Sequence, residues 1–153
     1  MKVLYLANNR IGLDCLKVLL DQGDTLAGLV LHPALKAKFR DEILALAGKA
    51  GLPPERVFPG ERIRAAEVEA ALVALKPDAV LSVHFGYRIG PGVLGCGRIG
   101  AFNLHPGWLP YNRGLYPNVW AIVDGTPAGV TLHLMDTAFD TGPLVARRRV
   151  EVL

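Results

Sequence analysis

The sequence predicts an α/β fold with a mostly parallel, twisted sheet, helices on both of its faces, and an antiparallel strand pair near the C-terminus. Apolar strand segments alternate with amphipathic helical segments in the first half, a pattern typical of parallel strands joined by crossover helices. Near the C-terminus, the loop between two strand segments is too short to hold a crossover helix, which indicates antiparallel neighbours. Glycine and proline cluster around residues 86–117, where we expect loops that shape a pocket.

The first half contains three predicted strands, each short, apolar and bounded by turn residues. They cover residues 2–7, 26–31 and 79–83. Apolar residues at helical spacing predict three helices between these strands. The helices lie between residues 13 and 20, over residues 37–47 and over residues 63–75. This alternation is Rossmann-like.

The second half is predicted to contain a strand, a short helix and two further strands. The first strand covers residues 98–104, and the helix covers residues 118–123 and ends at Asp124-Gly125. The last two strands cover residues 129–135 and 144–150, and they are the predicted antiparallel pair.

Composition narrows the class of protein. A chain of 153 residues is expected to form one domain, and no apolar run approaches the roughly 18–20 residues that span a bilayer. The N-terminal residues lack the layout of a signal peptide, so we expect a cytoplasmic protein. Cys15 and Cys96 are expected to be structural thiols, and four scattered histidines predict no metal site. The net charge of +3 is modest and comes partly from Arg147-Arg148-Arg149. This run is either a solvated surface or a binding site for a phosphate.

An amide and an imidazole stand two residues apart where the strand over residues 98–104 runs out. Alternate residues of a strand project to one face, so Asn103 and His105 can address the same bound atom. Pro106 lacks an N–H and ends the strand ladder there, and open α/β sheets bind ligands at the carboxyl ends of their strands. By itself the pattern also fits an Asx-type cap and an ordinary hydrogen-bonded histidine.

A carboxylate follows in the loop after the strand over residues 129–135, at Asp140. Asn-x-His-Pro from residue 103, Gly-x-Thr-x-His from residue 129 and Asp-x-Gly from residue 140 together resemble the catalytic pattern of the formyltransferases that use 10-formyltetrahydrofolate. That family includes glycinamide ribonucleotide and methionyl-tRNA formyltransferases. The resemblance is close over the last third of the chain. The run over residues 109–120 is most similar to the branch that formylates amino sugars carried on nucleotides.

The resemblance implies an N-formyltransferase that moves a formyl group from the co-substrate 10-formyltetrahydrofolate to a primary amine. Such a reaction passes through a tetrahedral intermediate, so it needs hydrogen-bond donors for an oxyanion and a route for protons. Asn103 and His105 are expected to supply the donors. Asp140 is expected either to accept the proton of the amine, directly or through water, or to hold His105 as its cation. No covalent enzyme intermediate is required.

Folate presents a flat pterin, which calls for aromatic or apolar walls and backbone hydrogen-bonding groups. The segment just past the strand over residues 79–83 matches in position the folate-binding segment of the family, and residues 136–142 are expected to close the other side. The expected folate contacts are Phe85, Gly86, Tyr87, His133, Asp136 and Thr137. Phe85 and Tyr87 fit the core equally well, and His133 fits a satisfied buried histidine.

Two segments are candidates for the acceptor side. The first loop is neither Gly-x-Gly-x-x-Gly nor a P-loop, which argues against a dinucleotide cofactor, and its Arg10 either contacts a phosphate or lies in water. The second segment is the polar and aromatic group shortly after His105, where Arg113 and Asn118 can instead serve to tie the loop down. The candidate acceptor contacts are Asn9, Arg10, Asn112, Arg113, Tyr116 and Asn118.

The favoured acceptor is a small-molecule amine, an amino sugar linked to a nucleotide. The alternatives are another amine, such as aminoacyl-tRNA or glycinamide ribonucleotide, and a folate-binding module without activity. We expect no membrane partner, and nucleic acid is expected as a partner only if tRNA is the acceptor. The sequence is compatible with a homo-oligomer. Residues 1–153 are expected to form one catalytic core that lacks the C-terminal extension usual in the resembled family.

Overall fold

The computed structural model describes residues 1–151, which fall into two compact units. The first unit is Met1–Ala101, and the second begins at Phe102. The strands and helices are labelled here in chain order. Those that begin in the first unit are β1 (Lys2–Ala7), α1 (Asn9–Asp21), β2 (Thr25–Leu31), α2 (Arg40–Lys49), β3 (Val57–Pro59), α3 (Ala66–Ala74), β4 (Ala79–Val83), α4 (Pro91–Gly95) and β5 (Gly100–His105). The second unit adds α5 (Pro117–Val123), β6 (Gly129–Leu134) and β7 (Leu144–Arg149).

The sheet of the first unit is parallel, with β1 paired to both β2 and β4, and β3 added beside β2. Consecutive residues of β1 from Val3 to Ala7 are buried, so both faces of this sheet are covered. Part of that cover comes from apolar helix residues such as Leu16 of α1 and Leu72 of α3, which have no exposed surface. Burying a leucine side chain is worth about 1.5–3 kcal/mol, so these residues account for much of the stability of the unit.

Helix boundaries differ from the predicted ones where the backbone leaves helical geometry. The helix predicted from residue 37 begins at Arg40, because Phe39 lies in the left-handed region with a φ of 58°. The helix predicted from residue 63 begins at Ala66, after a 3₁₀ turn at Gly60–Arg62. The strand β3 and the helix α4 were not predicted, since each is short and Pro59 ends β3.

Strands of the second unit are antiparallel. β6 pairs with β5 on one side and with β7 on the other, so the predicted pair over residues 129–135 and 144–150 is confirmed. The register places Asn103 opposite His133 and His105 opposite Thr131. Parallel strands with covered faces, followed by antiparallel strands near the C-terminus, confirm the predicted Rossmann-like α/β class. Among residues 1–151, no helix is long and apolar enough to cross a membrane.

Candidate active site

Four polar side chains of β5 and β6 share one face of the second unit. Residues directly opposite in an antiparallel pair point to the same side, so Asn103 and His105 lie on the side of His133 and Thr131. His105, Thr131 and His133 are each at most 3% exposed. A buried polar group is costly unless it is hydrogen-bonded, so the contacts of these side chains determine whether the arrangement is stable.

Asp140 brings the predicted catalytic residues together. Its Oδ1 lies 3.4 Å from Nδ2 of Asn103 and 3.5 Å from Nε2 of His133, and its Oδ2 lies 3.5 Å from Nδ1 of His105. Oδ2 also accepts a hydrogen bond of 2.9 Å from the backbone N–H of Gly114. The structure therefore places Asn103, His105 and Asp140 in one cluster, which also contains His133.

The backbone of Asp140 has a φ of 54°, in the left-handed region that most side chains avoid. Asp and Asn enter this region more readily than other non-glycine residues. Residues held in this way at a cost in free energy concentrate at functional sites, because the surrounding contacts fix a side chain in a required direction. Here the fixed group is a carboxylate between two imidazoles.

The pKa values of the two histidines and of Asp140 are shifted in different directions. Burial, which acts most strongly, lowers the pKa of His105 despite the attraction of Asp140 and the carbonyl of Asn112. Burial also opposes the cation of His133, but hydrogen bonds to Asp140 and to the carbonyl of Leu134 outweigh it and raise the pKa. Burial likewise opposes the Asp140 anion, yet the hydrogen bonds from His133 and Gly114 and the charges of both histidines hold its pKa below the usual range. The cluster therefore holds an ionised carboxylate, with His133 more basic than His105.

The side-chain nitrogens of Asn103 and His105, the predicted catalytic pair, already contact groups of the cluster. Nδ2 of Asn103 donates to Oδ1 of Asp140 at 3.4 Å and lies 3.2 Å from Nε2 of His133, a contact that is a hydrogen bond only while that nitrogen carries no proton. Nε2 of His105 lies 3.2 Å from the carbonyl oxygen of Asn112. A Cβ on Gly107 would lie 2.8 Å from the same Nε2, so the backbone passes the ring at a distance that only glycine permits. A formyl oxygen bound here must replace at least one of these contacts.

Thr131 holds the loop that follows His105, a role that the sequence analysis did not assign. Its hydroxyl donates to the carbonyl of Gly107 at 2.6 Å and accepts from the N–H of Leu109 at 3.1 Å. Arg147 reinforces the loop, because it donates to the carbonyl of Leu109 at 2.8 Å and lies over the ring of Trp108. The sequence signal was the threonine of Gly-x-Thr-x-His, which faces the same side as His133.

The predicted acceptor residues after His105 have different surroundings. Asn112 is partly buried and donates from Nδ2 to the hydroxyl of Thr126 at 2.6 Å, so its side chain ties the loop down. Arg113 is exposed, and Tyr116 is 70% exposed and precedes the first residue of α5. Asn118, in the first turn of α5, is exposed and borders an open groove of about 330 Å³ that also reaches Gly107.

The predicted folate residues fall in both units. In the first unit, Phe85 and Tyr87 form a partly buried aromatic cluster with His32, and Gly86 is exposed between them. In the second unit, Asp136 accepts hydrogen bonds from the N–H of Ala138 and the hydroxyl of Thr141, which shapes the loop before Asp140. Thr137 in that loop is exposed.

The first loop of the chain is more constrained than expected. Asn9 has a φ of 69° and accepts a hydrogen bond from the N–H of Arg10 at 2.8 Å. Arg10 is exposed but paired with Asp14, 2.9 Å away, and its guanidinium lies 5.9 Å from the centre of the Phe39 ring. The positive charge of Arg10 is therefore partly neutralised by Asp14, another residue of α1. Among residues 1–151, no group of three or more potential ligands is arranged to hold a metal ion.

Comparison with known proteins places the geometry in context. The formyl transferase family profile matches residues 36–153. Among curated relatives, a methionyl-tRNA formyltransferase from a Synechococcus strain is 33% identical over 160 residues, which cover 99% of this chain and 49% of that protein. The chain spans about half the length of the curated relatives it matches.

Solved structures share the fold. A sugar N-formyltransferase from a Shewanella species superposes with a TM-score of 0.76 at 22% identity, over all of this chain and 58% of that one. A phosphoribosylglycinamide formyltransferase from Bacillus halodurans gives 0.79 at 22% identity, over 100% and 81%. The formyltransferase PseJ from Anoxybacillus kamchatkensis, in complex with a UDP-linked formamido sugar and tetrahydrofolate, gives 0.60 at 24% identity, over 100% and 62%.

Proposed function

The chain belongs to the formyl transferase family, and from that premise we propose that it transfers a formyl group from 10-formyltetrahydrofolate to the primary amine of a nucleotide-linked amino sugar. The match to the family profile confirms the family that these three sequence segments, Asn-x-His-Pro, Gly-x-Thr-x-His and Asp-x-Gly, resemble. Members of this family use 10-formyltetrahydrofolate as the formyl donor. The acceptor and the residue roles given below are our proposal.

The observation that carries the proposal is the convergence of Asn103, His105 and Asp140 on one carboxylate-centred cluster. These residue types supply hydrogen-bond donors, a group that titrates near neutrality and a base. They come from the end of β5 and from a separate loop, so chain continuity alone does not bring them together. A binding module without activity has no need of an ionised carboxylate held between two histidines.

Each residue of the cluster has a role that follows from its surroundings. Asn103 and His105 donate hydrogen bonds to the oxygen that gains negative charge as the amine attacks. Asp140, whose pKa is held low and which is therefore ionised, attracts the ammonium form of the amine. It accepts the proton that the amine releases as it attacks, directly or through water, and passes that proton on to the departing folate nitrogen. His133 contacts Oδ1 of the carboxylate, while His105 contacts Oδ2, and so helps to keep the carboxylate in place.

The residues proposed for folate fit a flat ring with a polar edge. Phe85 and Tyr87 offer partly buried aromatic faces, and exposed Gly86 leaves backbone groups accessible beside them. Within the second unit, we propose His133, Asp136 and Thr137 as folate contacts. When bound, 10-formyltetrahydrofolate supplies the activated formyl group.

The assignment of the acceptor rests on the loop that follows His105. Arg113, Tyr116 and Asn118 expose polar or aromatic groups there, whereas the side chain of Asn112 is engaged with Thr126. We assign these exposed residues of the second unit to a nucleotide-linked sugar. Aminoacyl-tRNA is the second candidate, because the curated relatives at 28–33% identity are methionyl-tRNA formyltransferases.

Turnover of 10-formyltetrahydrofolate with a panel of amines tests both candidates. Nucleotide-linked amino sugars, glycinamide ribonucleotide and methionyl-tRNA are supplied separately, and the N-formyl product is identified by mass spectrometry. We expect formylated sugar with the wild type and about a hundredfold less, or lower still, with Asp140→Asn at neutral pH. Formylation of methionyl-tRNA alone would replace the sugar by the second candidate. Folate binding without a product from any amine would favour the binding module.

A further inference from the structure

His32 connects three strand ends of the first unit. It is the first residue after β2, and its Nε2 lies 3.1 Å from the backbone nitrogen of Gly86, which follows β4. Its ring packs edge-on against Phe85 and tilted against Tyr87, with centroids 5.4 Å and 4.8 Å away. Its Nδ1 lies 3.5 Å from the side-chain nitrogen of Asn8, the residue after β1.

The contact with Gly86 fixes the protonation state of the ring. A backbone N–H can only donate, so Nε2 must carry a lone pair, and the neutral ring then carries its hydrogen on Nδ1. A hydrogen bond from Asn8 to Nδ1 requires the opposite tautomer, and at 3.5 Å it is at the outer limit of hydrogen bonding. The Gly86 bond is therefore the one that the ring makes, and a proton on Nε2 breaks it.

We propose that neutral His32 is a positioning residue for residues 83–87, the segment that we assign to folate. Its ring accepts a hydrogen bond from the Gly86 N–H and supports the rings of Phe85 and Tyr87. This inference rests on the proposed function only for the identity of the ligand. Gly60 shows how closely the segment is packed, since a Cβ there would lie 2.9 Å from both the Phe85 ring and the carbonyl oxygen of Leu31. Loss of the Gly86 bond removes a hydrogen bond that ties the exposed part of the segment to the residue following β2.

The charges around His32 favour the neutral ring. Burial, the largest influence, lowers its pKa, and the nearby cation of Lys36 acts in the same direction. Glu61 opposes them, and the guanidinium of Arg40 faces the carbonyl of His32 at 3.4 Å. The phenol of Tyr87 belongs to the packed aromatic cluster. Near neutral pH the ring accordingly stays neutral, and acidification breaks the bond to Gly86.

Hydrogen exchange at the Gly86 amide tests the bond without any ligand. We expect the wild type to protect this amide near neutral pH and to lose the protection on acidification. His32→Leu removes the acceptor and should expose the amide at every pH. His32→Gln retains a carbonyl acceptor that does not titrate, so it should restore protection at all pH values. Equal exchange in the wild type and His32→Leu, with both proteins folded, would overturn the proposal.

Affinity for 5-formyltetrahydrofolate, a stable analogue, tests the consequence for the ligand. From about pH 8 to about pH 5, the range in which histidine titrates, wild-type affinity should fall by about threefold to tenfold more than that of His32→Gln. This difference corresponds to one net hydrogen bond. Both proteins retain His105 and His133, so the comparison isolates His32. An equal fall in affinity with pH for the wild type and His32→Gln would overturn the positioning role of His32. Absence of analogue binding by the wild type at any pH would overturn the proposed function, while amide protection would still report on the His32–Gly86 bond.

Discussion

The imidazole rings of His105 and His133 lie 6.5 Å apart between centroids and share the single carboxylate of Asp140. One negative charge cannot fully stabilise two cations in a buried site, so the surroundings decide which ring is protonated first. His133 donates from Nδ1 to the carbonyl of Leu134 at 2.8 Å and gains most from Asp140, whereas burial dominates at His105. The pair thus divides into a more basic and a less basic histidine.

Nuclear magnetic resonance should resolve that division. In a pH titration of the ring signals, His133 should titrate above the ordinary histidine value and His105 below it. Protonation of His133 stabilises the fold below its unfolded pKa, and that contribution is lost as pH rises through its folded pKa. His105 acts oppositely, because its lowered pKa costs stability as pH falls below the unfolded value. The reverse order of the two rings would contradict the assignment.

The sequence predicted those elements whose pattern is local. β1 and β4 have their predicted bounds, 2–7 and 79–83, because short apolar runs between turn residues are distinctive. β3 has three residues and depends on pairing with β2, so no local pattern marks it. The left-handed backbone of Phe39, immediately before α2, likewise has no local signal, because bulky residues seldom adopt that conformation.

The site was predictable in its side chains but not in its backbone. Motif spacing identified Asn103, His105 and Asp140, and the structure brings them together. The protonation states of Asp140 and His133 depend on backbone groups, the N–H of Gly114 for Asp140 and the carbonyl of Leu134 for His133, and backbone groups leave no residue-type signal. His32 was missed for a related reason, since its contacts come from segments that are distant in sequence.

Thr131→Val should destabilise the second unit, because valine keeps the shape of the side chain but leaves the Gly107 carbonyl and the Leu109 N–H without their partner. Loss of buried hydrogen bonds costs roughly 1–3 kcal/mol per unsatisfied group. Denaturant unfolding measures the change. Thr25→Val, at an exposed position, is the matched control and should stay within about 0.5 kcal/mol of the wild type. Equal midpoints for the two variants would rule out the bracing role of Thr131.

Replacement of Asn103 or His105 by Ala should lower kcat by roughly a hundredfold or more, the scale associated with loss of an oxyanion donor. Affinity for 5-formyltetrahydrofolate should change little, because the interaction strengthens only as the amine attacks. The measurements are steady-state kinetics and calorimetry on each variant, with thermal unfolding to establish that the fold is intact.

The double variant distinguishes shared from separate roles. If both side chains stabilise one oxygen, the combined loss should not exceed the sum of the two single losses in free energy and should fall short of it, whereas separate roles would give the full sum. Parallel losses of binding and turnover in the single variants would instead assign Asn103 and His105 to the structure of the loop.

Asp140→Asn should abolish most activity near neutral pH while preserving the loop. Asparagine tolerates the left-handed backbone at this position, and its side-chain oxygen can still accept the Gly114 N–H. The lost charge is the one that attracts the ammonium and takes its proton, so the rate should fall by about 10²–10⁴. An alkylammonium cannot attack, and therefore the rate should recover partly as rising pH deprotonates the free amine.

In Asp140→Asn the pKa values of both His105 and His133 should also fall, because each loses a nearby anion. Asp124→Asn, at the exposed end of α5, is the matched control and should keep the wild-type rate. Near wild-type turnover at pH 7 by Asp140→Asn would remove the carboxylate from the reaction and leave it as the anchor of Gly114.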